Sequence, residues 1–360
     1  MILIAAILFC IYIFFHLYYF SKIIFSTTDI PFPETENPIS IIICAHNESE
    51  NLKENLPYFL NQYYSKYELV VVNDASNDDT ASVLSEFEKL YDCLKIVTIN
   101  EKNEKIKGKK FALQQGIAAA KNPYIALSDA DCKPIHQHWL KHINAQLQHN
   151  NIVIGISPYI NKNTNLSRFI NYETLHTAIL YISFALRNKA YMCVGRNVAY
   201  KTEILKKADW ASIAQIPSGD DDLLFQQLSE GEKIDVMMHP ESFVFSKPAC
   251  DWKTYINQKA RHLSAGKYYK NKHKFILGLY ATAQSMLYIT LTILLFYSLK
   301  PALVLLLASI YIHVRVYKFI ALRWQWQVSI FEIIYFEIAF IAFYIIFSPV
   351  IFIKNKMQWK

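Results

Sequence analysis

Apolar residues are concentrated at the two ends of this chain, and that distribution limits what it can fold into. Residues 1–20, MILIAAILFCIYIFFHLYYF, include one histidine and no formally charged side chain. A helix of about 20 apolar residues is long enough to cross a bilayer. The stretch lacks the basic start and small-residue cleavage site of a secretory leader, so a retained anchor is expected over 1–24. Lys22 follows it, and cationic flanks favour the cytoplasm. A second apolar stretch runs over 275–298 and closes at Lys300–Pro301, a third covers 302–312, and a fourth covers 328–353. The last contains Glu332 and Glu337, which lipid tolerates only when they are paired or turned inward. Two to three spans are therefore expected in a C-terminal membrane region, 274–354. Arg315, Lys318 and Arg323 are expected in a cytoplasmic connection, with the Lys300–Pro301 hairpin on the opposite side.

Composition supports this division. Only 19% of the residues are charged, against about 25% in soluble domains, and 53% are hydrophobic, so a disordered chain is excluded. The net charge is +7. The basic residues form no stripe interleaved with aromatics, so no nucleic-acid partner is expected; an anionic membrane face or a phosphorylated substrate fits better. The six cysteines are scattered without a C-x-x-C pair, as expected of free thiols in a reducing compartment.

Residues 34–250 have the pattern of a soluble α/β domain. Short apolar runs at Ile39–Cys44, Glu68–Asn73, Leu94–Thr98, Tyr124–Ser128 and Ile152–Ser157 alternate with helical patterns at 49–62, 78–91, 109–121 and 137–148. Such alternation predicts βαβ units and a mostly parallel sheet, whose ligands bind beyond the carboxyl ends of the strands. The polar residues stand there. The first strand runs into Ala45-His46-Asn47-Glu48, the second into Asn73-Asp74, and the fourth into Ser128-Asp129-Ala130-Asp131. Each cluster alone would pass for a turn or a helix cap; three at one sheet edge point to a site.

Asp129 and Asp131 can share a hard divalent cation, Mg²⁺ or Mn²⁺, whose remaining ligands are phosphate oxygens and water. Lys105-Ile106-Lys107-Gly108-Lys109-Lys110 opens a helix, a favourable place for a diphosphate. Asp220-Asp221-Asp222 has more acids than a cap needs, and crowding can prepare one of them to accept a proton. The segment 251–273 combines aromatic and basic residues as an amphipathic interfacial helix would, with Gln258 and Arg261 on one face. His138 and His142, spaced i, i+4, show no third metal ligand in the sequence and read as a helix face beside Trp139. His46 reads as a loop residue rather than a general base.

With these motifs in this order, the chain resembles the family 2 glycosyltransferases of GT-A fold, in particular the membrane-embedded branch that includes cellulose, chitin and hyaluronan synthases and ceramide glucosyltransferases. PISIIICAHNESENL, ELVVVNDASNDDT, GKKFAL, ALSDADCKP, GRNVAY, SGDDDLL and QKARH carry the resemblance over about 38–270. It implies a GT-A-type mostly parallel sheet flanked by helices, one N-terminal and two to three C-terminal transmembrane helices, and a metal-dependent, inverting transfer of sugar from a nucleotide-diphosphate sugar, a UDP-sugar in the first instance. The acceptor would be lipid-linked or a glycan, and the enzyme would sit in a bacterial cytoplasmic membrane with its catalytic domain in the cytoplasm. Glu48 and Asp74 would hold the nucleoside with backbone help from Ala45 and His46. Lys109 would approach the diphosphate, Asp129 and Ala130 would lie on the ribose side, and Asp131, with Asp129, would bind the metal. Asp221, or Asp220, would be the base. Gln258, Arg261 and His262 match the family's Q-x-x-R-W motif, except that His262 stands where the polymerising members carry Trp, which puts processive synthesis in question. Gly195-Arg196-Asn197 would line the pocket or form a tight turn. The alternative to turnover is a nucleotide-sugar-binding pseudoenzyme or a membrane scaffold.

Overall fold

The computed structural model describes residues 1–100, 106, 109–216 and 220–353, without the side chains of 220, 265 and 348–353. Lys105, Lys107 and Gly108 of the basic loop, Pro217–Gly219 and the tail from 354 lie outside the described residues, as does the Asp220 side chain. The chain divides into two compact units.

The first unit, Thr27–Ile160 with Ala190–Ala265, is built on a seven-stranded sheet. Its strands are β1 (Ile39–Ala45), β2 (Tyr67–Asp74), β3 (Leu94–Ile99), β4 (Tyr124–Asp129), β6 (Ile152–Gly155), β7 (Val198–Lys201) and β8 (Ile234–Met237), in the order β3-β2-β1-β4-β7-β6-β8. A two-stranded ribbon pairs β5 (Cys132–Pro134) with β9 (Val244–Ser246). β3, β2, β1 and β4 run parallel, as the alternating pattern requires. β7 enters antiparallel between β4 and β6. The central strands are apolar on both faces, the mark of a sheet covered by helices. Ile41, Ile43, Val71 and Ala126 pack with Leu52 and Phe59 of helix Ser49–Leu60 and with Trp139 and Leu140 of helix Trp139–Leu147 in one cluster. β6 stops two residues short of the expected Ser157 because the Asn197 amide donates to the Ile156 carbonyl at 2.8 Å and removes it from the ladder.

The second unit joins Met1–Ser26, Asn161–Lys189 and the described residues from 266. Four of its helices are long and apolar enough to cross a membrane: Ile2–Phe25, Asn271–Tyr297, Leu299–Arg323 and Ile330–Phe347. The C-terminal region thus has three. Arg315, Lys318 and Arg323, expected in a connection, are helical instead. Long basic side chains extend from a helix end towards polar groups, and Lys318 Nζ reaches the Val328 carbonyl at 2.8 Å. Glu332 closes a capping box with Ser329: its carboxylate accepts from the Ser329 amide at 2.8 Å, while Ser329 Oγ accepts from the Glu332 amide at 3.1 Å.

Glu337 is buried, as an acid in an apolar helix must be. Its carboxyl group accepts from Tyr172 Oη at 2.6 Å and Gln284 Nε2 at 2.7 Å. His313 Nε2 lies 3.4 Å away. Tyr172 comes from a fifth long helix, Asn165–Ala185, most of whose residues are buried. Glu337→Ala is expected to lower the thermal unfolding temperature of detergent-purified protein, at about 1–3 kcal/mol for each donor left unsatisfied. Glu337→Gln, which keeps an acceptor oxygen, should be milder.

Candidate functional site

Strand register assembles the site. The parallel ladders set Cys44 beside Asp129 and Ala45 beside Asn73, so Asp74 and Asp129 leave the sheet on either side of the end of β1. Two backbone reversals sharpen these exits. Asn47 has φ 58° and Ala75 has φ 51°, the left-handed region that costs a β-carbon residue about 1 kcal/mol or more. Hydrogen bonds hold both loops: the Asn47 amide donates to Ser76 Oγ at 3.0 Å, and the Asn77 amide donates to Asn47 Oδ1 at 2.8 Å. His46 Nδ1 donates to the Asp74 carbonyl at 2.6 Å, so its side chain braces the loop.

Lys109 stands at the centre. Its Nζ donates to Asp129 Oδ1 at 2.9 Å and lies 3.2 Å from Asp221 Oδ1. Asp129 is partly buried; burial opposes its ionisation, but the Lys109 ammonium outweighs that, with help from Arg196 and Arg261, and the carboxyl is held below the usual aspartate value. The Cys44 thiol senses the same assembly. Burial pushes it up to about 12, Lys109 draws it back, and Asp129, Asp74 and Asp221 add to the rise. The ladders put Asp74 and Asp129 at this strand end, and Lys109 ties Asp221 to it. Glu48 is raised by burial and by the charges of Asp131 and Asp129, against the pull of Asn51 Nδ2, which donates to it at 2.6 Å.

Asp131 is exposed; it accepts from Cys132 Sγ at 3.0 Å and from Ser246 Oγ at 3.5 Å. Donor atoms of Asp129, Asp131 and Cys132 lie within 4.8 Å of one another. Burial and the Asp131 charge raise the Cys132 thiol well above its usual value, so the carboxylates are the ligands this group can offer, a hard oxygen set. Ala130 is buried, and its carbonyl accepts from Asn55 Nδ2 at 2.9 Å, which leaves it shaping the turn. In helix Trp252–Ala265, Gln258 Nε2 donates to Tyr159 Oη at 3.4 Å, Arg261 is half-buried, and His262 is exposed.

Gly195 and Arg196, expected to line the pocket or form a tight turn, and Lys110 of the basic stretch make specific contacts here. A β-carbon on Gly195 would fall on the Asp221 carboxylate, so only glycine lets that acid reach Lys109. Arg196 lies over the Tyr159 ring at 4.8 Å and donates to the Ser157 carbonyl at 3.1 Å. Lys110 is fully buried, and its Nζ donates to the Ile216 carbonyl at 2.7 Å, tying down the chain ahead of Asp221. In the sequence Gly195 and Arg196 belong to GRNVAY, one of the segments that carry the family resemblance.

Residues 40–208 match the family model described as glycosyl transferase family 2. This segment is a family 2 glycosyltransferase domain. Among similar proteins, a probable glycosyltransferase YdaM of Bacillus subtilis is 30% identical over 241 residues, 64% of this chain and 55% of that one. A poly-beta-1,6-N-acetyl-D-glucosamine synthase of Staphylococcus epidermidis is 37% identical over 93 residues, 26% of this chain and 21% of that one. The chain spans about half or less of the length of these curated relatives. In fold it is similar to mannosyltransferase PcManGT from Pyrobaculum calidifontis, solved in complex with GDP-Man and Mn²⁺, with a TM-score of 0.56 at 17% identity over 91% of this chain and 99% of that one. The glycosyltransferase domain thus has the expected GT-A-like sheet. Gly195→Ala should displace the Asp221 carboxylate and separate it from Lys109, at an overpacking cost of about 1–3 kcal/mol; chemical unfolding of the purified protein measures it.

Proposed function

We propose that this chain is a membrane-bound, inverting glycosyltransferase that moves a sugar from a nucleotide-diphosphate sugar, in the first instance a UDP-sugar, to a lipid-linked or glycan acceptor. The observation that carries the reading is Lys109 held between Asp129 and Asp221 at the carboxyl ends of the strands, beside Asp131. Family membership supports the reaction class, and four apolar helices support the membrane location. The cationic Lys22 flank and the unpaired cysteines favour a cytoplasmic catalytic domain.

The chemistry follows from charge. Cleavage of the sugar–phosphate bond leaves an electron pair on a departing diphosphate. Lys109 and Arg261 would stabilise that charge, while Glu48 and Asp74, at the rim of the first two strands, would hold the nucleoside. Asp221 would accept the proton of the acceptor hydroxyl as its oxygen bonds to the anomeric carbon. A single displacement, with the acceptor oxygen attacking on the face opposite the leaving diphosphate, gives inversion. Asp129 and Asp131 fit a Mg²⁺ or Mn²⁺ ion, which would supply further positive charge at the diphosphate when bound. Arg196, turned towards Tyr159 and Ser157, would shape the pocket rather than react.

Asp221→Asn is expected to lower transfer by about 10²-fold or more, the scale of a lost general base, while nucleotide binding persists; near-normal turnover in the purified variant would reject the assignment. Exhaustive chelation should abolish release of nucleoside diphosphate from a nucleotide-sugar panel in membranes containing the protein, and added manganese should restore it. Full activity in chelator would count against Asp131 as a ligand.

A further inference from the structure

A second cluster of ligand-type side chains lies at the other end of the β5–β9 ribbon. The ribbon runs antiparallel, with Cys132 opposite Ser246 and Pro134 opposite Val244. Asp131 meets Ser246 at its first end. At its second end β5 leads to His136 and His138, and β9 is preceded by His239 and Glu241. Sequence reading found no third ligand for His138 and His142; folding supplies it from 99 residues beyond His142, and His138 precedes helix Trp139–Leu147 rather than lying within it.

Glu241 is the hub. Its Oε1 lies 3.3 Å from His136 Nε2, and its Oε2 lies 3.0 Å from His138 Nδ1 and 3.7 Å from His142 Nε2. It belongs to two groups of potential ligands, with His136 and His138 and with His142 and His239, and within each the donor atoms lie within 4.8 Å of one another. The 3.7 Å separation is too long for a hydrogen bond. His142 is 6% exposed, and its Nε2 is buried without a hydrogen-bond partner while aimed at Glu241. Ligands at about 2.0–2.1 Å from a tetrahedral Zn²⁺ stand roughly 3.3–3.5 Å from one another; the three nitrogen–oxygen distances bracket that edge. The Phe32 ring packs against His138 and His142, with centroids 5.7 Å and 4.9 Å away, giving the cluster an apolar lid.

We propose that His136, His138 and Glu241, joined on zinc binding by His142 from the second group that shares Glu241, form a structural zinc site that clips the β5–β9 ribbon and so steadies Asp131. Three imidazoles and one carboxylate suit Zn²⁺ rather than the hard Mg²⁺ or Mn²⁺ expected at Asp129 and Asp131. A ribbon of two three-residue strands holds little on its own, and a metal tie at one end restrains the other. The site does not depend on the glycosyltransferase reading, since its ligands take no part in that chemistry.

The test is metal content. The full chain would be expressed with a histidine-free tag in zinc-supplemented medium, purified in detergent, dialysed against metal-free buffer and measured by elemental mass spectrometry. About one zinc per chain is expected in the wild type and in Asp131→Asn, with content at least about tenfold lower in His138→Asn and Glu241→Gln. In case these variants fail to fold, Co²⁺ added to the metal-stripped wild type should develop the visible absorption of a tetrahedral cobalt site, reversed by zinc. A zinc-free wild type without that absorption would overturn the proposal and leave a hydrogen-bonded carboxylate–imidazole cluster. Zinc retained in both ligand variants, or lost in Asp131→Asn, would overturn it as well.

Discussion

The candidate active site depends on one cation between two carboxylates. Asp74, Asp129 with Asp131, and Asp221 approach the same strand ends from three places in the chain, and like charges brought together this way repel unless a positive charge intervenes. Lys109 intervenes, touching Asp129 and Asp221 at once. The arrangement has a consequence for a ligand: a bound diphosphate would compete for the same ammonium, and any shift of Lys109 towards phosphate would loosen its hold on Asp221. Donor binding and release of the proposed base would then be coupled through a single side chain. Glycine at 195 leaves the room that Asp221 needs for that exchange.

The first four strands of the sheet were legible within a residue or two because each is an apolar run that ends abruptly in polar residues, a signal local to the chain. The acids at their ends were legible for the same reason. β7 was not. It is a four-residue strand entering antiparallel, too short for a periodic pattern, and its position is decided by pairing with β4 and β6. The closeness of Gly195 to Asp221 was equally hidden, since nothing in a glycine announces which side chain will come to rest against it. The cluster around Glu241 was read from His138 and His142 alone; its completion depends on the β5–β9 pairing, which two three-residue segments do not advertise.

In the membrane-type unit, hydropathy identified the apolar stretches but placed the third helix boundary too early. Arg315 and Lys318 were treated as marks of a connection. A helix ends where its backbone hydrogen bonds end, and long basic side chains can remain helical while their charges find polar groups elsewhere. Glu332 and Glu337 illustrate two solutions to the same cost. The first lies in the opening turn, where its carboxylate satisfies the amide of its own cap. The second lies deep in the apolar helix and is surrounded by donors from other helices.

The ligand-type side chains at Asp129 and Asp131 and those around Glu241 separate by donor chemistry. Asp129 and Asp131 present hard oxygens, one of them exposed, which suits an ion that must accept phosphate and water ligands and be exchanged with product. Around Glu241 the donors are three imidazoles under an aromatic lid, which suits an ion that stays. A zinc ion drawn to the carboxylates would be held by too few ligands, and magnesium drawn to the imidazoles would find too little oxygen, so each group discriminates against the other's metal. The ribbon that connects them would make the separation useful: a permanent ion at one end would stiffen the strand from which an exchangeable ion would be bound at the other.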